Sequence, residues 1–205
     1  MPSRRIDGAL IRRNISTGGS STGGGGIYQE AGSLSLSDVR LEENEAFSGA
    51  GIMQTGGTLT ISDSTIARNQ TSSPSIGGGG GLHLSGGETQ LTRVQVLDNQ
   101  APGSMTSGGG LYGANSLTVS QSTFSGNHAR SGGGLALDSS QNGAQLSHVQ
   151  ILDNTAVEGA GAFLGFQATM SFDHGRIVGN SAILYGGGFY FSNTEPTELS
   201  YLSVL

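Results

Sequence analysis

Residues 117–137 read Leu117-Thr-Val-Ser-Gln-Ser-Thr-Phe-Ser-Gly-Asn127-His-Ala-Arg-Ser-Gly-Gly-Gly-Leu-Ala-Leu137. Apolar residues alternate with Ser, Thr and Gln at Leu117 and Val119, the pattern of a half-buried strand. Phe124 stands three residues before Asn127, and a cluster of three glycines then precedes Leu135. Gly, Asn and Ser between such runs mark sharp corners rather than helices. The same phrase recurs along the chain. An apolar residue, two residues of any kind and an Asn appear as IRRN at 11–14, LEEN at 41–44, IARN at 66–69 and VLDN at 96–99. They return as FSGN at 124–127, ILDN at 151–154 and IVGN at 177–180. Each Asn is followed by a cluster of small residues, mostly Gly, ending at Gly26, Gly51, Gly81, Gly110, Gly134, Gly161 or Gly188.

A unit of about 28 residues cannot bury its own apolar face, but stacked units share one continuous narrow core. Eight residues before the asparagines stand Ile6, Leu36, Ile61, Leu91, Val119, Leu146 and Phe172, and two residues after them stand Ser16, Ala46, Thr71, Ala101, Ala129, Ala156 and Ala182. With no helical period, this predicts an all-β, right-handed parallel β-helix (a solenoid) spanning 1–205 as a single domain. It has about seven coils, each of three short strands. One strand follows the Gly cluster, one holds the Leu117–Val119 type of stretch, and one leads into the Asn. At about 4.8 Å per coil the rod is roughly 34 Å long. Leu199-Ser-Tyr-Leu-Ser-Val-Leu205 repeats the pattern of residues 91–97 and stops before an eighth Asn, and neither end shows a cap. The expectation is therefore a piece of a longer protein.

Composition narrows the function. The chain holds 37 Gly and 4 Pro in 205 residues, too few for collagen. Its nine basic residues, all Arg, face fifteen acidic ones, giving a net charge of −6, so nucleic acid is not an expected partner. There is no Cys, which excludes disulfide frameworks and thiolate metal sites. No apolar run reaches the roughly 18 residues of a membrane-spanning helix.

The pairing of Phe124-Ser-Gly-Asn127 with Gly132-Gly-Gly-Leu135 resembles the repeats of the chlamydial polymorphic outer-membrane proteins. It is also similar to related β-helix repeats of many bacterial surface proteins. The resemblance implies a passenger or stalk region of a secreted, surface-displayed and often adhesive protein. The wider fold superfamily it implies also contains pectate-lyase-like, polysaccharide-cleaving enzymes. Gly49-Ala-Gly51 and Gly159-Ala-Gly161 depart from the triple-Gly pattern, and no transporter barrel is visible in the chain.

Four files of residues are candidates for function. The asparagines Asn14, Asn44, Asn69, Asn99, Asn127, Asn154 and Asn180 form a structural ladder, with Asn suited to the left-handed backbone of a corner. Just before them, Arg13, Glu43, Arg68 and Asp98 alternate in sign, predicting an ion-pair ladder from coil to coil. Six before each Asn, the file includes Asp38, Asp63, Arg93, Gln121, His148 and His174. Two carboxylates and an Arg on consecutive coils are the catalytic candidates for a polysaccharide lyase, with Ca²⁺ the one cofactor this chemistry would admit. One residue past each Gly-apolar step, Tyr28, Met53, His83, Tyr112, Ala136, Phe163 and Tyr190 form an outward stripe. Of these, Tyr28, His83, Tyr112, Phe163 and Tyr190 are the expected ligand-binding residues, because sugar rings stack on aromatic faces. No metal site is assigned.

The longer arcs at 15–22, 70–76 and 100–107, rich in Ser, Gly and Pro, are expected to project on one side as a variable contact surface. The sequence thus favours a structural or adhesive rod, secreted or at a cell surface, contacting glycans, a surface component or further copies of itself through its coil ends. A polysaccharide lyase or glycoside hydrolase is the first alternative, and a self-assembling filament subunit the second.

Overall fold

Alternation along each strand places one file of side chains inward, and repetition stacks those files into a core. The computed structural model describes residues 3–19, 23–73, 76–113, 116–138, 143–192 and 197–205. Every strand pair among them is parallel and joins equivalent residues of successive units. The fifth coil shows the pattern: strands Ser116–Ser120, Thr123–Ser125, His128–Ala129 and Leu135–Leu137. Each lies in its own stack, here called first to fourth. The fourth stack has seven strands, from Ile27–Gln29 to Phe189–Phe191, giving seven coils. An eighth turn begins with Thr197–Val204, which pairs with Met170–Val178.

Three of the inward files illustrate how the lumen is filled. Leu36, Ile61, Leu91, Val119 and Phe172 come from the first stack and are fully buried. Leu41, Ile66, Val96, Phe124 and Ile151 come from the second, and Ile52, Leu82, Leu111, Leu135 and Ala162 from the fourth. Each of these side chains adds about 1.5–3 kcal/mol relative to an exposed position, except the smaller Ala162.

Two details differ from the sequence expectation. Each coil from the second onward has a fourth strand, two residues or more, directly after its Asn, such as Glu45–Ala46 and Gln100–Ala101. The small residue two past the Asn is the inward member of this strand, and Ala46, Ala101 and Ala129 are fully buried. The Gly cluster of the preceding coil presses on the same backbone. A Cβ on Gly109 would lie 2.4 Å from the His128 carbonyl oxygen, and one on Gly133 2.5 Å from that of Thr155. The glycines are thus required by close backbone approach as well as by turning.

The second difference concerns the corner. The asparagines are not left-handed; the residue before each one is. Arg13, Glu43, Arg68, Asp98 and Asp153 have φ of 53–57°, and Gly126 and Gly179 occupy the same place. Asp38, Asp63, Arg93, Gln121, His148 and His174 form a second left-handed file, with φ of 50–55°. A non-Gly residue there costs about 1–2 kcal/mol. Ladder hydrogen bonds offset it: Arg68 N–H donates to the Leu97 carbonyl at 3.0 Å, and Arg93 N–H to that of Ser120 at 3.1 Å.

The arcs at 15–22 and 70–76 include positions outside the described residues. The arc at 100–107 carries the strand Met105–Ser107, which pairs with Ile76–Gly78. Among the described residues, no helix is long and apolar enough to cross a membrane.

Candidate functional site

The seven asparagines stack on consecutive coils. Asn99 illustrates the bonding. One Nδ2 hydrogen goes to the Ile66 carbonyl at 2.9 Å, and the other to Asn127 Oδ1 at 3.1 Å. Its own Oδ1 accepts from Asn69 N–H at 3.0 Å and from Asn69 Nδ2 at 2.9 Å. The amide therefore uses both donors and both acceptor sites inside the protein. Asn69, Asn99, Asn127 and Asn154 are all fully buried, so this ladder is inaccessible to a ligand.

The corner file separates the catalytic candidates. Arg93 grips Asp63 with two parallel bonds, Nε to Oδ1 at 2.6 Å and Nη2 to Oδ2 at 2.8 Å. Asp38 lies one coil from Asp63 and two from Arg93, and makes no ion pair with Arg93. The bidentate pair engages both carboxylate oxygens of Asp63, and the Arg93 guanidinium holds its pKa below the ordinary value. The other shifted carboxylates move the same way. Ser37 and then Arg5 lower Asp7, and Ser200 and then His174 lower Asp173. A general acid at neutral pH needs a shift upward. Further along the file, His148 and His174 stack with ring centroids 5.0 Å apart and planes 5° apart, and Tyr201 continues the stack at 4.7 Å. Nearly parallel planes at that separation put no single metal ion in line with both rings. Among the described residues no group of three or more His, Cys, Asp or Glu gathers to hold a metal.

The stripe runs in strict register along the fourth stack: Tyr28, Met53, His83, Tyr112, Ala136, Phe163, Tyr190. Ala162 points inward and Phe163 outward. The expectation of an open file needs correction, however. Tyr28 is 51% exposed, but His83, Tyr112, Phe163 and Tyr190 are half-buried and Ala136 is fully buried. The glycine corner explains this. A Cβ on Gly49 would lie 2.9 Å from Met53 Cβ and 3.0 Å from His83 Cβ, and one on Gly78 3.0 Å from Tyr112 Cγ. The rings lie on bare glycine backbone, so they present edges and one face rather than standing free. They also touch one another. His83 meets Tyr112 edge-on at 4.9 Å, and Phe163 lies 5.5 Å from Tyr190. The Ser48 hydroxyl contacts His83 Nδ1. Burial pushes the His83 pKa down and, with a smaller contribution from Asp138, the Tyr112 pKa up. Both shifts favour uncharged rings at neutral pH.

The expected charge ladder breaks after its second step. Arg13 Nε donates to Glu43 Oε2 at 2.7 Å. Arg68 then leans back, with Nη2 to Glu42 Oε2 at 3.1 Å and Nε 3.7 Å from Glu43 Oε1. Asp98 turns the other way, toward the space beside Gly126, where an added Cβ would lie 2.2 Å from its Oδ1. The sequence reading missed Arg12, Arg40 and Glu42, which complete the cluster. Arg12 Nη2 donates to Glu43 Oε1 and Arg40 Nη2 to Glu42 Oε1, both at 2.5 Å. Hydrogen bonds from Arg12 and then Arg13 bring the Glu43 pKa from 4.5 to about 2. The signal was present as Arg12-Arg13 one unit before Glu42-Glu43, two adjacent columns rather than one.

The family model described as right handed beta helix region matches residues 3–124, more than half of the chain. No curated protein and no solved structure matches it.

Proposed function

The chain belongs to the right-handed β-helix family, and from that premise we propose that it is a rigid, non-catalytic contact module. It is the rod-like part of a secreted or cell-surface protein that holds glycans or surface components by many weak contacts. One observation carries the reading: seven outward positions of the fourth stack keep register over the full length of the solenoid. A stiff scaffold holds Tyr28, His83, Tyr112, Phe163 and Tyr190 at fixed coil intervals, so a second contact forms at high effective concentration once the first is made. Each ring offers an apolar face or edge to a sugar, worth about 0.5–1.5 kcal/mol in aromatic pairs. The polysaccharide-cleaving alternative is weaker, because Asp63 is committed to Arg93 and Asp38 stands apart from that pair. The surface assignment rests on the resemblance of Phe124-Ser-Gly-Asn127 and Gly132-Gly-Gly-Leu135 to chlamydial surface repeats, by motif alone.

The test is retention of the purified protein on insoluble cellulose and chitin and on immobilised amylose. Binding to at least one is expected. The combined variant Tyr28→Ser, Phe163→Ser and Tyr190→Ser should lose at least about tenfold in affinity, more than its single variants suggest. Equal binding by this variant and the parent protein, both folded, would refute the stripe as the contact surface.

A further inference from the structure

Charge along the rod is uneven. The chain as a whole carries −6, yet four of its nine arginines surround two carboxylates on the outer face of the first three coils. The two signs sit at different depths. The Glu42 side chain is 4% exposed and that of Glu43 27%, whereas Arg12, Arg40, Arg68 and Arg13 are 38%, 63%, 47% and 70% exposed. Solvent therefore meets four guanidiniums, while the acids lie beneath and fix them in place. Other pairs are balanced singly, as in Asp63 with Arg93 at 50% and 54% exposure.

A guanidinium has five N–H donors in a rigid fork. The bonds to Glu42 and Glu43 engage one or two nitrogens of each Arg, leaving further donors toward solvent. Side chains already held by the buried Glu42 and the half-buried Glu43 lose little more freedom on binding, so a ligand finds a preorganised site. Arg12 and Arg13 stand on the first coil, Arg40 and Arg68 on the second and third. Arg13 and Arg68 share one file, two coils or about 10 Å apart. The patch thus offers two oxyanion positions in a line along the rod.

We propose that this patch binds a sulfated polysaccharide, with one sulfate ester on the Arg12–Arg13 side and another on the Arg40–Arg68 side. A tetrahedral sulfate ester turns three oxygens toward several guanidiniums at once, whereas a planar carboxylate competes on equal terms with Glu42 and Glu43. A nucleic-acid duplex fits less well. It carries one charge per roughly 1.7 Å and would be repelled by the acidic remainder of the rod. A sugar chain sulfated once every residue or two carries fewer charges per unit length than a duplex, so fewer of them meet the acidic remainder of the rod. The site lies on the second stack, apart from the aromatic stripe, so its failure and that of the stripe are separable.

The experiment measures binding of dextran sulfate at low salt, beside unsulfated dextran, polygalacturonate, a DNA duplex and anionic phospholipid vesicles. Dextran sulfate should bind, in a manner weakened by salt, and more tightly than every other probe. Arg13→Gln with Arg68→Gln should cut its affinity by about tenfold or more. The same charge change at Arg130→Gln with Arg176→Gln should leave it within about twofold, and Glu43→Gln should hold or raise it. Equal losses in the two double variants would overturn the proposal. So would DNA, vesicles or polygalacturonate binding as tightly as dextran sulfate, or no binding by the folded parent protein.

Discussion

Asn99→Ala is expected to destabilise the protein by roughly 4 kcal/mol. Asn99 has no exposed surface. Its removal leaves the Asn69 backbone N–H and one Asn69 Nδ2 hydrogen without their acceptor and takes one bond each from the Ile66 carbonyl and from Asn127 Oδ1, which keeps only the backbone N–H of residue 99, all within a closed interior. Each unsatisfied buried group costs about 1–3 kcal/mol, and an Ala leaves a cavity too small for water to serve all of them. Asn14→Ala is the control. Asn14 lies exposed on the first coil and donates its side chain to Asn44 at 2.9 Å, so its loss should cost under about 1 kcal/mol. Urea unfolding of both variants reads the difference. Equal midpoints would mean that the asparagines only decorate the corner.

The second large effect comes from the glycine cluster, where neighbouring positions should behave differently. Gly108 has φ +68°, and an added Cβ would lie 2.1 Å from the Leu111 carbonyl oxygen. All seven coils hold Gly at this position, including Gly49 and Gly159 of the Gly-Ala-Gly coils. Gly108→Ala should therefore cost about 3 kcal/mol, combining left-handed strain with backbone collision. Gly109 is next in the chain, and its equivalents in two coils are Ala50 and Ala160, both fully buried. A Cβ there would sit 2.4 Å from the His128 carbonyl, but those coils show that the backbone yields to a methyl group. Gly109→Ala should cost about 1 kcal/mol. Thermal or urea unfolding of the pair checks this, and a Gly109 variant as unstable as the Gly108 variant would contradict it.

The fold was legible because its determinants repeat along one dimension. Leu91, Val96 and Asn99 recur at fixed offsets, and a period carries the topology even though no single coil does. The fourth strand was less legible, since Gln100-Ala101 is too short to show alternation. Its cause is tertiary: ladder bonds to Gln70–Thr71 and His128–Ala129 hold it. The left-handed corner was misplaced for a related reason. Asn drew the assignment by intrinsic preference, yet its side chain is needed inside for the ladder, and Arg68 or Asp98 takes the strained backbone instead. The stripe was found in phase but judged too open, because a Gly cluster in sequence reads as a turn and not as a floor for rings. The Arg12, Arg40 and Glu42 cluster escaped because adjacency across files depends on how far each side chain leans, which a column of residues does not encode.

The decisive measurement scores new chain ends after incubating the protein, with and without Ca²⁺, with neutral and acidic polysaccharides. A folded, β-rich sample is expected to release none from any substrate, in keeping with the commitment of Asp63 to Arg93. Cleavage by the parent protein that disappears in Asp63→Ala would contradict a non-catalytic rod and place chemistry on the corner file.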